Sequence, residues 1–214
     1  MSKLRLHFAL FLVLVPFGYL AMVYGSAPDP VPIHWNWRGE VDRWAPKWTL
    51  WLWPTLMMMF GLGLSAVVNK RLDPGAADDK SRLMLLFTIA LLAALSCAIT
   101  YQSTVATPVG METILGVILG VFFIALGNYL PILKRNRWVG IRIPSTLKSE
   151  RKWRLTHRVG GYGFVACGVL LIIAALAFGQ VARAATLVGA PILLAIGLVI
   201  YAGQLPDDPD GDLV

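Results

Sequence analysis

The chain has 214 residues, of which 57% are apolar and 14% charged, against roughly 45–50% and about 25% in an ordinary soluble domain. With a mean hydropathy of +0.66 and only two cysteines, this composition excludes a disordered chain, a disulfide scaffold and a typical soluble enzyme, and leaves an integral membrane protein. In such a chain a net charge of +7 marks cytoplasmic loops rather than a nucleic-acid surface.

A bilayer-spanning helix needs about 20 apolar residues. Six such runs occur, at 6–25, 48–68, 83–105, 113–133, 160–179 and 184–203, and none contains Asp, Glu, Lys or Arg. They do not alternate as barrel strands do, so the predicted fold is an all-α polytopic membrane protein with six transmembrane helices. The first run follows Lys3 and Arg5 and precedes Gly25-Ser26-Ala27, as a signal peptide would. Its length exceeds the usual apolar core of about 7–15 residues, which favours an anchor.

The loop at 26–47 is rich in tryptophan: six of the eight fall between Trp35 and Trp53. Trp48, Trp51 and Trp53 fit an interfacial belt at a helix start. Residues His34 to Trp37 read as extended, with alternate side chains on opposite faces, and Arg38-Gly39-Glu40 as a turn that uses the freedom of glycine. The expected element caps the bundle with one aromatic face on the membrane surface. His34, Asn36 and Asp42 could hold a metal, but their spacing matches no familiar site. The simpler reading has Asp42 accepting from backbone N–H groups and Lys47 anchoring near headgroups. The surface also suits an amphipathic ligand, with His34, Trp35, Asn36, Trp37, Gly39, Asp42 and Lys47 as its contacts.

A basic connector at 69–82 separates the first two runs from the other four. Gly116 and Gly120 are a small-xxx-small pair, which points to close helix packing. Cys97 and Cys167 lie in apolar runs and read as small hydrophobes. The spans lack the buried ionisable groups of ion-coupled pumps. Asn128 is their most polar deep residue, predicted to make an interhelical hydrogen bond. A facilitator with Asn128 on its path stays open.

The loop at 134–159 holds nine basic residues against one acid, Glu150. Pro144 ends any earlier element, and Thr146 or Ser149 can cap the helix that follows. On that helix Glu150 and Arg154 form a favourable i,i+4 pair, while Glu150, Trp153 and His157 share a face. A carboxylate and an imidazole so placed can do acid–base chemistry or form a structural hydrogen bond beneath Trp153. The charge itself suits anionic lipid or a cytoplasmic protein. Lys and Arg number fifteen in the segments 1–5, 69–82 and 134–159 and four in those between. This predicts both termini in the cytoplasm, N-in and C-in. The acidic tail, with Asp207, Asp208, Asp210 and Asp212, reads as a loose end.

Several stretches carry a resemblance. Gly127-Asn128-Tyr129-Leu130-Pro131, Gly140-Ile141-Arg142-Ile143-Pro144, Thr146-Leu147, Glu150, Trp153, Thr156-His157-Arg158 and Gly160-Gly161 closely resemble the signature of the SdpI family of bacterial membrane immunity proteins. Ser145 departs from the tryptophan that family favours. Pro32-Ile33-His34-Trp35-Asn36 with Gly39, Asp42 and Lys47 resembles the N-terminal domain of unknown function that accompanies it. The resemblance implies an N-terminal two-helix unit at 1–68, a linker at 69–82, a four-helix SdpI-like domain at 83–204 and a tail at 205–214. It implies a bacterial cytoplasmic membrane protein that resists a secreted peptide toxin and relays its presence to a cytoplasmic transcriptional repressor. No cofactor, metal, catalytic residue or direct nucleic-acid contact comes with it. Asn128, Pro131, Arg142, Thr146, Glu150, Trp153, Thr156, His157 and Arg158 would then form the cytoplasmic docking motif. Two alternatives remain: an enzyme at the cytoplasmic lipid interface built on Arg142, Glu150, His157 and Arg158, and a small facilitator or exporter.

Overall fold

A computed structural model describes residues 3–36, 39–71, 79–106, 109–136 and 139–206. The N-terminal helix α1 (Lys3–Val23) carries Pro16 in its interior and is apolar on every side, as suits a helix with lipid around it. Two short strands follow, β1 (Val31–Trp35) and β2 (Val41–Ala45), paired antiparallel as a hairpin. Pro46 ends the second strand, and Lys47–Trp51 winds as a 3-10 turn into α2 (Leu52–Arg71). The remaining helices are α3 (Asp79–Thr104), α4 (Met111–Tyr129), the short α5 (Pro144–Lys148), α6 (Glu150–Ala177) and α7 (Gln180–Gln204).

Five helices among the described residues are long and apolar enough to cross a membrane, at His7–Ser26, Leu83–Thr104, Met111–Ile132, Glu150–Ala177 and Gln180–Gln204. The remaining predicted run, 48–68, is helical from Leu52 onward as α2. One boundary differs by ten residues. The run predicted at 160–179 and the capped helix predicted after Ser149 are a single helix of 28 residues, about 42 Å long. Nothing between Glu150 and Gly160 breaks helical geometry, so the basic segment and the span are continuous. Most of the predicted linker and the acidic tail, including Asp207, Asp208, Asp210 and Asp212, lie outside the described residues.

The tightest seam joins α4 to α6. A Cβ on Gly120 would lie 2.7 Å from the Gly168 carbonyl oxygen, and one on Gly168 would lie 2.5 Å from that of Gly120. Gly127 and Gly161 meet in the same way, at 2.6 and 2.8 Å, and Gly116 faces Ala175. Backbones this close need glycine on both sides, which is how helices gain contact where lipid competes for every apolar side chain. The expected packing role of Gly116 and Gly120 is what the structure displays.

Three buried clusters mark the levels of the bundle. Leu20, Ala27, Val31 and Leu50 lie beneath the hairpin. Val13 meets Leu85 and Ile89 between α1 and α3. Met84, Leu130, Leu133 and Trp153 lie at the far end. The helix flanks expose large apolar side chains such as Phe11, Leu62, Leu193 and Ile196, as lipid-facing surfaces do.

Candidate functional site

The two ends of the bundle are built differently. At the hairpin end, Gly39 has φ +74°, a conformation L side chains rarely adopt. It closes a turn in which the Gly39 N–H donates to the Asn36 carbonyl at 2.9 Å. The Asn36 side chain completes that turn. Its Nδ2 donates to Glu40 Oε2 at 2.9 Å, and its Oδ1 accepts from the Glu40 N–H at 3.1 Å. His34 Nδ1 and Asp42 Oδ1 pair across the strands at 2.5 Å.

This corrects the expected role of Asp42: its carboxylate is engaged by His34. The carboxylate that accepts a backbone N–H is Asp29, from Lys47 at 3.1 Å. Lys47, expected near headgroups, makes its contacts within the protein. Its ammonium donates to the Gly25 carbonyl at 3.3 Å and sits 4.7 Å above the Tyr24 ring, clamping the end of α1 to the hairpin. Of the belt tryptophans, Trp48 is exposed, as is Trp44. Trp51 instead turns inward against Tyr24 and Phe17, at 5.5 and 6.5 Å between ring centroids. Trp35 is half-buried, and Trp37 lies outside the described residues. No group of three or more potential metal ligands occurs among the described residues.

The hairpin is fastened to the bundle at points the sequence did not announce. Ser103, buried at the end of α3, donates to the Pro32 carbonyl at 2.8 Å. The Gly39 tip faces Gln180 and Glu112, at the starts of α7 and α4. There Arg183 donates to Thr113 at 2.7 Å and lies 3.8 Å from Glu112.

At the opposite end, residues 133–136 and 139–149 fold back onto α6. His157 is fully buried. Its Nε2 accepts the Ile141 N–H at 2.9 Å, so the ring proton is on Nδ1, which donates to the Trp153 carbonyl at 2.8 Å. The imidazole stacks on the Trp153 indole with centroids 3.9 Å apart. The indole N–H in turn donates to the Leu133 carbonyl at 2.8 Å. Gly140, at φ +115°, rests directly on this pair: a Cβ there would collide with His157 Nε2 and lie 3.0 Å from the indole.

Thr146 is buried and stitches the same turn. Its hydroxyl donates to the Ile141 or Ile143 carbonyl at 2.8 or 3.0 Å and accepts the Ile143 N–H at 3.1 Å. Of the two possible caps for α6, Ser149 serves, accepting the Lys152 N–H at 3.0 Å.

The face expected to unite Glu150, Trp153 and His157 is divided. Glu150 is exposed and pairs with Arg135 at 3.0 Å, not with Arg154. Arg135 also donates to the Leu147 carbonyl at 3.0 Å, a reach across the loop that helical spacing could not reveal. Both nitrogens of His157 are held by backbone, so Glu150 and His157 form no acid–base pair. Arg142 and Arg158 point to the surface, so the polar centre of the enzyme reading does not assemble.

Asn128 is exposed, and its amide bonds the Ile124 carbonyl of its own helix at 2.8 Å. This bond within α4 takes the place of the expected interhelical one. Pro131 packs on Gly161. Thr156 is buried with no partner for its hydroxyl.

Residues 132–203 match the SdpI/YfhL protein family, and residues 11–58 match the domain of unknown function DUF1648. The first segment contains the clamped loop, α6 and nearly all of α7; the second contains most of α1, the hairpin and the start of α2. The chain is 26% identical over 173 residues to the immunity protein SdpI of Bacillus subtilis (strain 168), which covers 79% of this chain and 80% of that protein. No solved structure matches. The chain is thus a multi-pass bacterial membrane protein in which residues 132–203 resemble the SdpI/YfhL family and residues 11–58 resemble DUF1648.

Proposed function

We propose that the protein confers immunity on its bacterial host against a secreted toxic peptide. The observation that carries this reading is the likeness to the SdpI immunity protein over 79% of the chain, beside the two matched regions. In this reading both termini face the cytoplasm and the hairpin faces outward, as the fifteen-to-four division of basic residues implies. The hairpin meets the peptide through His34, Trp35, Asn36, Trp37, Gly39, Asp42 and Lys47. Exposed Trp44 and Trp48 place amphipathic rings beside them, where such rings favour an interface.

The test is expression of the full chain in bacteria sensitive to the peptide that SdpI resists. Survival should rise when the chain is in the membrane. Unchanged survival at verified membrane levels would sink the reading for that peptide.

We further infer that the basic end relays toxin binding to a cytoplasmic repressor. Its support is the exposed cationic surface on a loop held rigidly by His157, Trp153 and Thr146. The charge-neutral change Arg158→Gln is expected to abolish induction of a reporter and leave protection intact. Loss of both together would contradict a division of labour between the two ends.

A further inference from the structure

We propose that the basic end holds one anionic phospholipid, with an acyl chain in the cleft beneath the Gly140 loop and its phosphate at Arg142. The cleft has a volume of about 280 Å³. Its walls come from four helices, with Leu64 of α2, Met84 of α3, Phe122 of α4 and Phe164 of α6 among them, and its rim is Val139, Gly140 and Ile141 of the loop. Thr88 is the one polar side chain in the lining, and its hydroxyl is already given to the Met84 carbonyl at 3.1 Å. The other polar atoms of the lining belong to backbone, so every side chain but Thr88 offers the cleft an apolar surface suited to hydrocarbon.

The rim has the opposite character. Ile141 is followed directly by Arg142, which is exposed and carries no side-chain hydrogen bond or ion pair among the described residues. Lys148 and Arg151 are exposed and equally unpaired. The acid of this segment, Glu150, is taken by Arg135. An apolar cleft whose rim residue Ile141 adjoins the unpaired, exposed Arg142 suits one class of molecule: a lipid with an anionic headgroup. Two other clefts, of about 440 and 330 Å³, lie among α1, α3 and α4 and have no loop residue in their lining, so they lack the second half of the site. The loop itself is pre-set to form the rim, because His157 and Thr146 hold Ile141 by its N–H and its carbonyl.

The experiment uses the full chain purified in mild detergent, washed, and exposed to phosphatidylglycerol or phosphatidylcholine of equal chain length. Native mass spectrometry reads the adduct. One phosphatidylglycerol per chain should be retained, in preference to phosphatidylcholine by roughly fivefold or more, the discrimination that one near-surface cation provides. Arg142→Gln, a surface change that spares the fold, should bring the two lipids to near parity. Thr88→Phe should fill the cleft and remove the adduct altogether. Equal retention of the two lipids by the unaltered chain, no retained lipid, or the mass of a second chain in place of a lipid would each overturn the proposal. So would an Arg142→Gln variant that keeps the full preference. If Thr88→Phe fails to fold, Arg142→Gln alone still decides.

Discussion

Gly140 occupies a position closed to every other residue for two separate reasons. Its φ of +115° strains any L side chain, and the space a Cβ would need is filled by His157 and Trp153. Gly140→Ala is expected to cost about 2–4 kcal/mol, read as a lowered thermal midpoint in detergent or as lost membrane expression. Thr156 presents the reverse case. Its hydroxyl is buried without a partner, and an unmet hydroxyl costs free energy that an isosteric methyl does not. Thr156→Val should therefore raise stability by about 1 kcal/mol in the same assay. A marked loss would show that the hydroxyl has a task in the working protein. Both residues stand in the family-like stretches of the sequence, yet the contact of Gly140 with His157 and Trp153 spans a loop whose path sequence spacing could not trace.

At the scale of elements, the bundle is organised by the α4–α6 seam. Gly120 and Gly168 each stand where the other's carbonyl leaves no room for a methyl. Gly120→Val must therefore push the helices apart and should cost at least about 2 kcal/mol. Gly63, which has nothing within 4 Å of a Cβ, is the control: Gly63→Ala removes a helix-weakening glycine and should be neutral or mildly stabilising. The hairpin is the second organising element. A two-stranded hairpin alone is marginal in water. This one gains its support from the buried Val31 packed with Leu20 and Leu50 and from the Ser103 bond to Pro32. Its surface pair, His34 with Asp42, is largely exposed and contributes at most about 1 kcal/mol. Asp42→Asn should therefore leave the fold intact, so that an effect on protection would report on ligand contact.

At the scale of the whole molecule, His34 and His157 sit at opposite ends of the bundle. One is in the hairpin above Leu20 and Leu50; the other is in the clamp beside Leu133 and Trp153. If the helices cross the bilayer, the exposed residues at these ends are on opposite sides. In a background of Cys97→Ala and Cys167→Ala, His34→Cys should react with an impermeant thiol reagent in intact cells. Arg158→Cys should react only after the membrane is opened. Labelling of both in intact cells would refute the two-sided arrangement, and with it the division of labour between a peptide-facing and a cytoplasmic end.

Local composition made legible the helical runs, the tryptophan-rich and cation-rich stretches and the turn at Gly39, and it narrowed the cap of α6 to Thr146 or Ser149. Each depends on residues close together in the chain, where hydropathy, glycine freedom and side-chain reach act directly. Which groups meet was settled by packing. It sent Glu150 to Arg135 instead of Arg154, held both nitrogens of His157 on backbone, and turned Lys47 back onto Gly25 and Tyr24. It also joined the basic segment to the fifth predicted span as one helix. For Glu150, Lys47 and the Nε2 of His157 the physical reason is shared: a long side chain or a buried ring takes the partner that packing brings within about 3 Å, and that partner comes from a segment whose distance along the chain says nothing about its distance in space.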